Sequence, residues 1–171
     1  MIRGILIGIA GTLVVFAFGV YAGIKMGLMP ANADARPSSM ERWAARTSLH
    51  ATLAREQPTG PVPIPLNDDN LIAGIKIYAA NCAVCHGGPS AARTKIARGL
   101  YQKPPQLAKD GVEDYPEGET YWKVRHGIRL TGMPAFVETL DDDQLWQVTL
   151  FLKHMDSLPP AAERVWKAVK D

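Results

Sequence analysis

Hydrophobic positions along the 171-residue chain fall into three regimes. From Gly4 to Ile24 they run continuously, with no charge among the 21 residues. At ~1.5 Å per residue this stretch makes a helix of ~32 Å, enough to cross a bilayer's hydrocarbon core. A cleaved signal peptide is the competing reading, and Ala31-Asn32-Ala33 supplies an A-x-A cleavage pattern. Signal h-regions usually span only ~7–15 residues, which favours a retained anchor over residues 1–30. Gly19, Gly23 and Gly27 recur at a spacing that allows another helix to approach closely in lipid.

Residues 31–66 read as a spacer. Ser38-x-x-Glu41 is a capping-box pattern opening a helix from Met40 to about Gln57. Met40, Trp43, Ala44, Thr47 and Ala51 share one face of it, suited to a membrane surface or a partner, or else to an ordinary solvated linker. Pro58 to Leu66 carries too many prolines for a helix or central strand. Extended at ~3.1 Å per residue, it is a strap of ~28 Å.

From Asn67 onward the apolar residues return at helical spacing, and no segment alternates like a strand. Asn67 or Asp68 caps a helix running to the cysteines, with Leu71, Ile75 and Tyr78 inward. Gly74 within it costs ~1 kcal/mol against alanine, which calls for a close helix crossing. The crossing partner is Asp142 to about Ser157, with Leu145, Val148, Phe151, Leu152 and Met155 on its apolar face and Pro159-Pro160 ending it. A third helix, Glu117 to His126, carries Tyr121 and Trp122 and stops at Gly127. The pattern predicts an all-α domain over residues 67–171, whose small apolar inventory is marginal without a prosthetic group in its core.

Net charge is +2 and says little globally. Locally, Arg93, Lys95, Arg98, Lys103 and Lys109 follow His86 with no acidic residue among them. Such a run steers an acidic partner, or is simply a solvated loop. It lacks the interleaved aromatics that stack on bases, so no nucleic acid is expected.

Cys82-Ala83-Val84-Cys85-His86 is the chemical signal. In a C-x-x-C-H run two thiols add across the vinyl groups of a haem, and the adjacent imidazole binds its iron. A thioredoxin-like couple needs a βαβ context, and a zinc site needs a second ligand pair. The chain has two cysteines in all, and His50, His126 and His154 are scattered. One covalent haem c is therefore the expected cofactor.

Further residues complete a resemblance. Gly74-x-x-x-Tyr78 ahead of Cys-Ala-Val-Cys-His-Gly, then Pro105-Gln106-Leu107, then Gly127-Ile-Arg-Leu-Thr-Gly-Met-Pro-Ala-Phe136 resembles class I cytochrome c. The likeness is to its bacterial single-haem branch, including cytochrome subunits of oxidases, and covers about Asn67 to Leu158. It implies that Cys82 and Cys85 attach the haem, that His86 is the proximal iron ligand, and that Met133 is the distal one. A thioether is a soft, neutral donor that favours ferrous iron, and Gly132 and Pro134 keep Met133 on a non-helical loop. The resemblance also makes Pro105 the residue whose carbonyl accepts the proximal imidazole N–H. Trp122 becomes a donor to a haem propionate, or simply core. His126 departs from the family pattern, where asparagine is common.

The expected protein is a membrane-tethered, single-haem electron carrier, a subunit of a larger respiratory complex and not itself an enzyme. Redox proteins and membrane lipid are its partners, with no small-molecule substrate. Haem c attachment places the domain on the periplasmic side of a bacterial cytoplasmic membrane. Arg3 before the span against Lys25, Arg36 and Arg42 after it argues for the reverse, but long domains translocate largely regardless of such counts. A free tethered shuttle, and a haem enzyme or gas sensor with an open iron position, are the alternatives.

Overall fold

A computed structural model describes residues 2–170. Met1 and Asp171, the outer ends of the first and last expected segments, lie outside the described residues. All regular structure among the described residues is helical. The chain forms two compact units, one up to Ala35 and one from Arg36 onward.

The first unit is built on α1, Ile2–Lys25, whose side chains are almost all exposed and which is long and apolar enough to cross a membrane. Gly27 adopts φ 70° while the Leu28 amide donates to the Gly23 carbonyl at 3.0 Å. That is a glycine helix stop, in which a left-handed residue lets a later amide satisfy an orphan carbonyl. Gly27 thus terminates the helix and does not extend the glycine stripe, which reduces to Gly19 and Gly23 on α1.

The second unit holds the expected spacer from Arg36 onward together with the helical domain. Helix α2, Ser39–Glu56, starts as its capping residues predict, with the Ser38 hydroxyl accepting from the Glu41 amide at 3.1 Å. The stripe that packs inward is a second one, away from the face read from the sequence. Leu53 is buried against the domain, whereas Met40 and Trp43, on the expected docking face, are 76% and 67% exposed. Val62 and Ile64 of the proline strap also pack on the core. Burial of these apolar groups outweighs the freedom of an extended tether.

Helix α3, Asp68–Asn81, is capped by the Asn67 side chain on the Asn70 amide at 2.9 Å. Its last residue abuts the short α4, Ala83–His86. After α5, Lys95–Gly99, come a single 3-10 turn at Val112–Asp114, then α6, Glu117–His126, and α7, Asp142–Lys153. Asp141 and Gln144 form a reciprocal capping box that starts α7. This helix stops four residues short of the expected Ser157. An additional helix, α8, Pro160–Lys167, follows at once, because Pro159 and Pro160 occupy its N-cap and first turn, where a missing N–H costs nothing.

The core is the crossing of α3 with α7 and α8, with α6 packed on α7. Tyr78, Phe151 and Trp166 meet edge to face, with ring centroids 5.0–5.5 Å apart. Gly74 sits at the crossing, where a Cβ would lie 2.1 Å from the Gln147 carbonyl oxygen. Tyr121 stacks on Trp146 at 4.0 Å, and its hydroxyl donates to Asp142, which Arg125 also binds at 2.7 Å. These contacts fix α6 against the start of α7.

Candidate functional site

Five of the six predicted site residues come together. Cys82, Cys85, His86 and Met133 line one cavity of about 310 Å³, as does Pro105. The first three arrive on the junction of α3 and α4. Cys82 ends α3 with its amide on the Tyr78 carbonyl at 2.8 Å, and its own carbonyl accepts from His86 at 2.9 Å. One continuous turn therefore carries both sulfurs and the imidazole. Tyr78 holds it from behind, its buried hydroxyl donating to the Gly87 carbonyl at 2.7 Å.

The imidazole is oriented by the backbone. His86 Nδ1 lies 2.9 Å from the Pro105 carbonyl oxygen. A carbonyl only accepts, so Nδ1 carries the proton and Nε2 keeps its lone pair for a metal. Burial lowers the pKa of this imidazole, partly opposed by the Pro105 bond, which keeps it in the neutral, ligating form. Gln106 is buried beside it, its amide donating to Asp110 at 2.7 Å. That contact anchors the segment bearing the Pro105 carbonyl.

Burial, reinforced by Cys85, pushes the Cys82 thiol up to about 12. A dithiol redox couple depends on a lowered thiol pKa, so this environment opposes the thioredoxin-like alternative. Among the described residues no cluster of three His, Cys, Asp or Glu side chains suits a metal ion such as zinc.

Met133 is presented by the loop between α6 and α7. Its amide donates to the Thr131 hydroxyl at 3.1 Å, while its carbonyl accepts from the Ile128 amide at 3.2 Å. The Phe136 amide bonds the Arg125 carbonyl at 3.1 Å, pinning the loop's far end to α6. Gly127 enters the loop at φ 65°, where a Cβ would stand 2.5 Å from the Pro134 carbonyl carbon. Gly127→Ala is expected to displace the Met133 loop, costing about 2–3 kcal/mol of stability and weakening any bond Met133 makes to a metal. Thermal unfolding together with the visible absorption spectrum measures both effects.

The structure does not bring Trp122 to the cavity. On α6 the cavity residues are Thr120, Lys123 and Val124, at the i, i+3, i+4 spacing of one helix face, and Trp122 falls outside it. Its ring lies 4.9 Å from the exposed His126. Glu56 of α2 is held below the usual carboxylate range first by Arg55, with Trp122 adding to the effect. Trp122 thus lies off the cavity wall, beside His126. His126 is likewise absent from the cavity wall. Leu49 of α2 is among the wall residues that the sequence reading did not single out. Its signal was the apolar pair Leu49 and Leu53, four residues apart on the side opposite Met40 and Trp43.

The residues present fit a haem. The cavity is lined mainly by apolar side chains, among them Leu100, Val112, Val124, Ile128, Phe136 and Leu152. Its wall supplies two thiols, an imidazole with a free Nε2 and a thioether, the donor set of a covalently held iron porphyrin.

The comparisons with known proteins agree with the site. Residues 69–152 match the family described as Cytochrome C oxidase, cbb3-type, subunit III. Cytochrome c6 of Synechococcus elongatus is 31% identical over 88 residues, covering 48% of this chain and 87% of that protein. The cytochromes c6 of Thermosynechococcus vestitus and Thermostichus vulcanus are each 31% identical over 88 residues, covering 48% of this chain and 68% of theirs.

Proposed function

Because the chain belongs to the class I, single-haem cytochrome c family, we propose that it relays electrons one at a time between respiratory proteins, as a membrane-tethered subunit of a larger complex. Domains of this family bind haem c and carry electrons. When bound, the haem supplies the one-electron couple, and the protein supplies attachment, ligation and a dry pocket. Cys82 and Cys85 hold the porphyrin through thioether bonds. His86 would present Nε2 to the iron while Pro105 fixes its ring, and Met133 would supply a thioether donor. With both donors engaged, the iron would have no position left for a substrate, which supports a carrier in place of a catalyst.

One observation carries this reading. Residues from three distant stretches of chain, Cys82 to His86, Pro105 and Met133, converge on a single cavity, and the histidine is already held in its ligating tautomer. The test is the mass of the mature chain after acid–acetone extraction. One added haem mass is the expected result, and an unmodified colourless polypeptide would refute the proposal.

The membrane and subunit parts of the reading rest on other features. Helix α1 has the length and composition of a span, and the matching family is described as an oxidase subunit. The exposed Met40 and Trp43 give α2 a face for lipid or a neighbouring subunit. N-terminal sequencing separates an anchor from a signal peptide, because a mature start at Asp34 would remove α1. Stoichiometric co-purification with an integral-membrane complex in mild detergent supports the subunit; isolation alone supports a tethered shuttle.

The basic run supports an acidic docking partner. Arg93, Lys95, Arg98, Lys103 and Lys109 are all exposed, and none joins an ion pair among the described residues. Lys103 also lines the cavity. Electron transfer to an acidic redox protein is expected to slow by about tenfold or more as salt rises from low to physiological strength. Stopped-flow rates across a salt series check this, and a flat profile would remove the steering role.

A further inference from the structure

We propose that α2 is a wall of the haem site, with Leu49 its contact residue, although the helix lies wholly outside the stretch that matches the cytochrome family. The proposal rests on the reading that the cavity holds haem. Its own basis is the docking of α2. Leu49 lines the same cavity as Cys82, Cys85, His86 and Met133. Four residues on, Leu53 is 3% exposed.

Three contacts clamp the helix in place. At its N-terminal end the Tyr101 hydroxyl donates to Glu41 Oε2 at 2.7 Å, joining α2 to the segment that leads into Pro105. Along its length α2 packs against α6. Just beyond, the Pro58 carbonyl packs so closely on α6 that a Cβ at Gly118 would lie 1.9 Å from its oxygen. Only glycine at position 118 lets the chain leave α2 along this path.

A leucine at the cavity wall keeps water away from the iron. The ferric state carries one more positive charge than the ferrous state, and hydration favours the more charged form. Closing the wall with an aliphatic side chain therefore favours reduction. The upstream helix becomes a determinant of the potential, and removing its apolar contact shifts the balance toward ferric iron.

The test uses the full-length, haem-loaded chain in detergent. In methyl NMR with labelled leucine, Leu49→Met identifies the Leu49 signals by their loss. Those methyls are expected outside the ordinary leucine range and to move again on oxidation, while those of the exposed Leu66 do neither. At a fixed poise, Leu49→Gln is expected to lower the reduced-to-oxidised ratio by about threefold to tenfold, a tenfold change being 59 mV for one electron. Leu49→Met should leave the ratio at its wild-type value. Leu49 methyls at ordinary positions and unmoved by oxidation would overturn the proposal, and this readout stands even where the glutamine variant does not fold. Equal ratios for Gln, Met and wild type, or equal shifts for Gln and Met, would overturn the claim that the wall excludes water. A chain without added haem mass is a different failure, that of the cofactor reading itself.

Discussion

Met133→Ala protein is expected to keep its covalent haem yet lose much of its reduction potential. Cys82, Cys85 and His86 all lie on one turn that Tyr78 and Pro105 hold independently of the Met133 loop. Attachment and proximal ligation should therefore survive the change. The lost group is a neutral, soft sulfur that stabilises ferrous iron, so its removal favours the ferric state. Axial ligation moves haem potentials over roughly 0.8 V, and a fall on the order of 0.1–0.3 V is expected for this variant. The vacated position should also admit carbon monoxide to the reduced protein. Potentiometric titration and the carbon monoxide difference spectrum measure the two effects. Rapid carbon monoxide binding by the unaltered protein would instead favour a sensor or enzyme with an open iron.

Gly74→Ala should destabilise the helical domain, as the net of two opposing effects. Alanine gains about 1 kcal/mol of helix propensity over glycine. Against this, the added Cβ would stand 2.1 Å from the Gln147 carbonyl oxygen, 2.7 Å from its carbon and 2.9 Å from Phe151 Cβ. Two of these are backbone atoms of α7, which cannot rotate away, so α3 and α7 must separate. Overpacking of this kind costs about 3 kcal/mol or more, and the clash wins. A net loss of about 2 kcal/mol corresponds to a melting temperature lower by about 5–10 °C for a domain of this size. Helical circular dichroism on heating measures it, and a raised melting temperature would show that the crossing is looser than these distances imply. Because Cys82 caps α3, the same displacement should broaden the visible spectrum.

How much of this was legible beforehand varies by element. The start of α3 was readable because Asn67 competes for a free amide within three residues. The full extent of α6 was readable for a similar reason, with Gly127 marking its end. Helix α8 escaped notice because a proline pair reads as a stop, although the same pair can begin a new helix. For α2 the periodicity was clear, but two apolar stripes share the helix. The more conspicuous one, with Met40 and Trp43, proved to be exposed. Choosing between them requires knowing what lies opposite, and that surface is assembled from α6 and the segment around Tyr101, far away in sequence.

The chemistry of the site belongs to the sequence alone. Two sulfurs and an imidazole within five residues are placed by one turn of backbone, and local geometry needs no tertiary help to bring them to a single face. Helix identities, their caps and the apolar span are local in the same sense. Only the tertiary structure decided that residues 39–66 fold back onto the domain, that Lys123 and not Trp122 lines the cavity, and that Leu49 joins the wall. Those outcomes depend on contacts between segments tens of residues apart, where burial of one apolar face excludes burial of its rival.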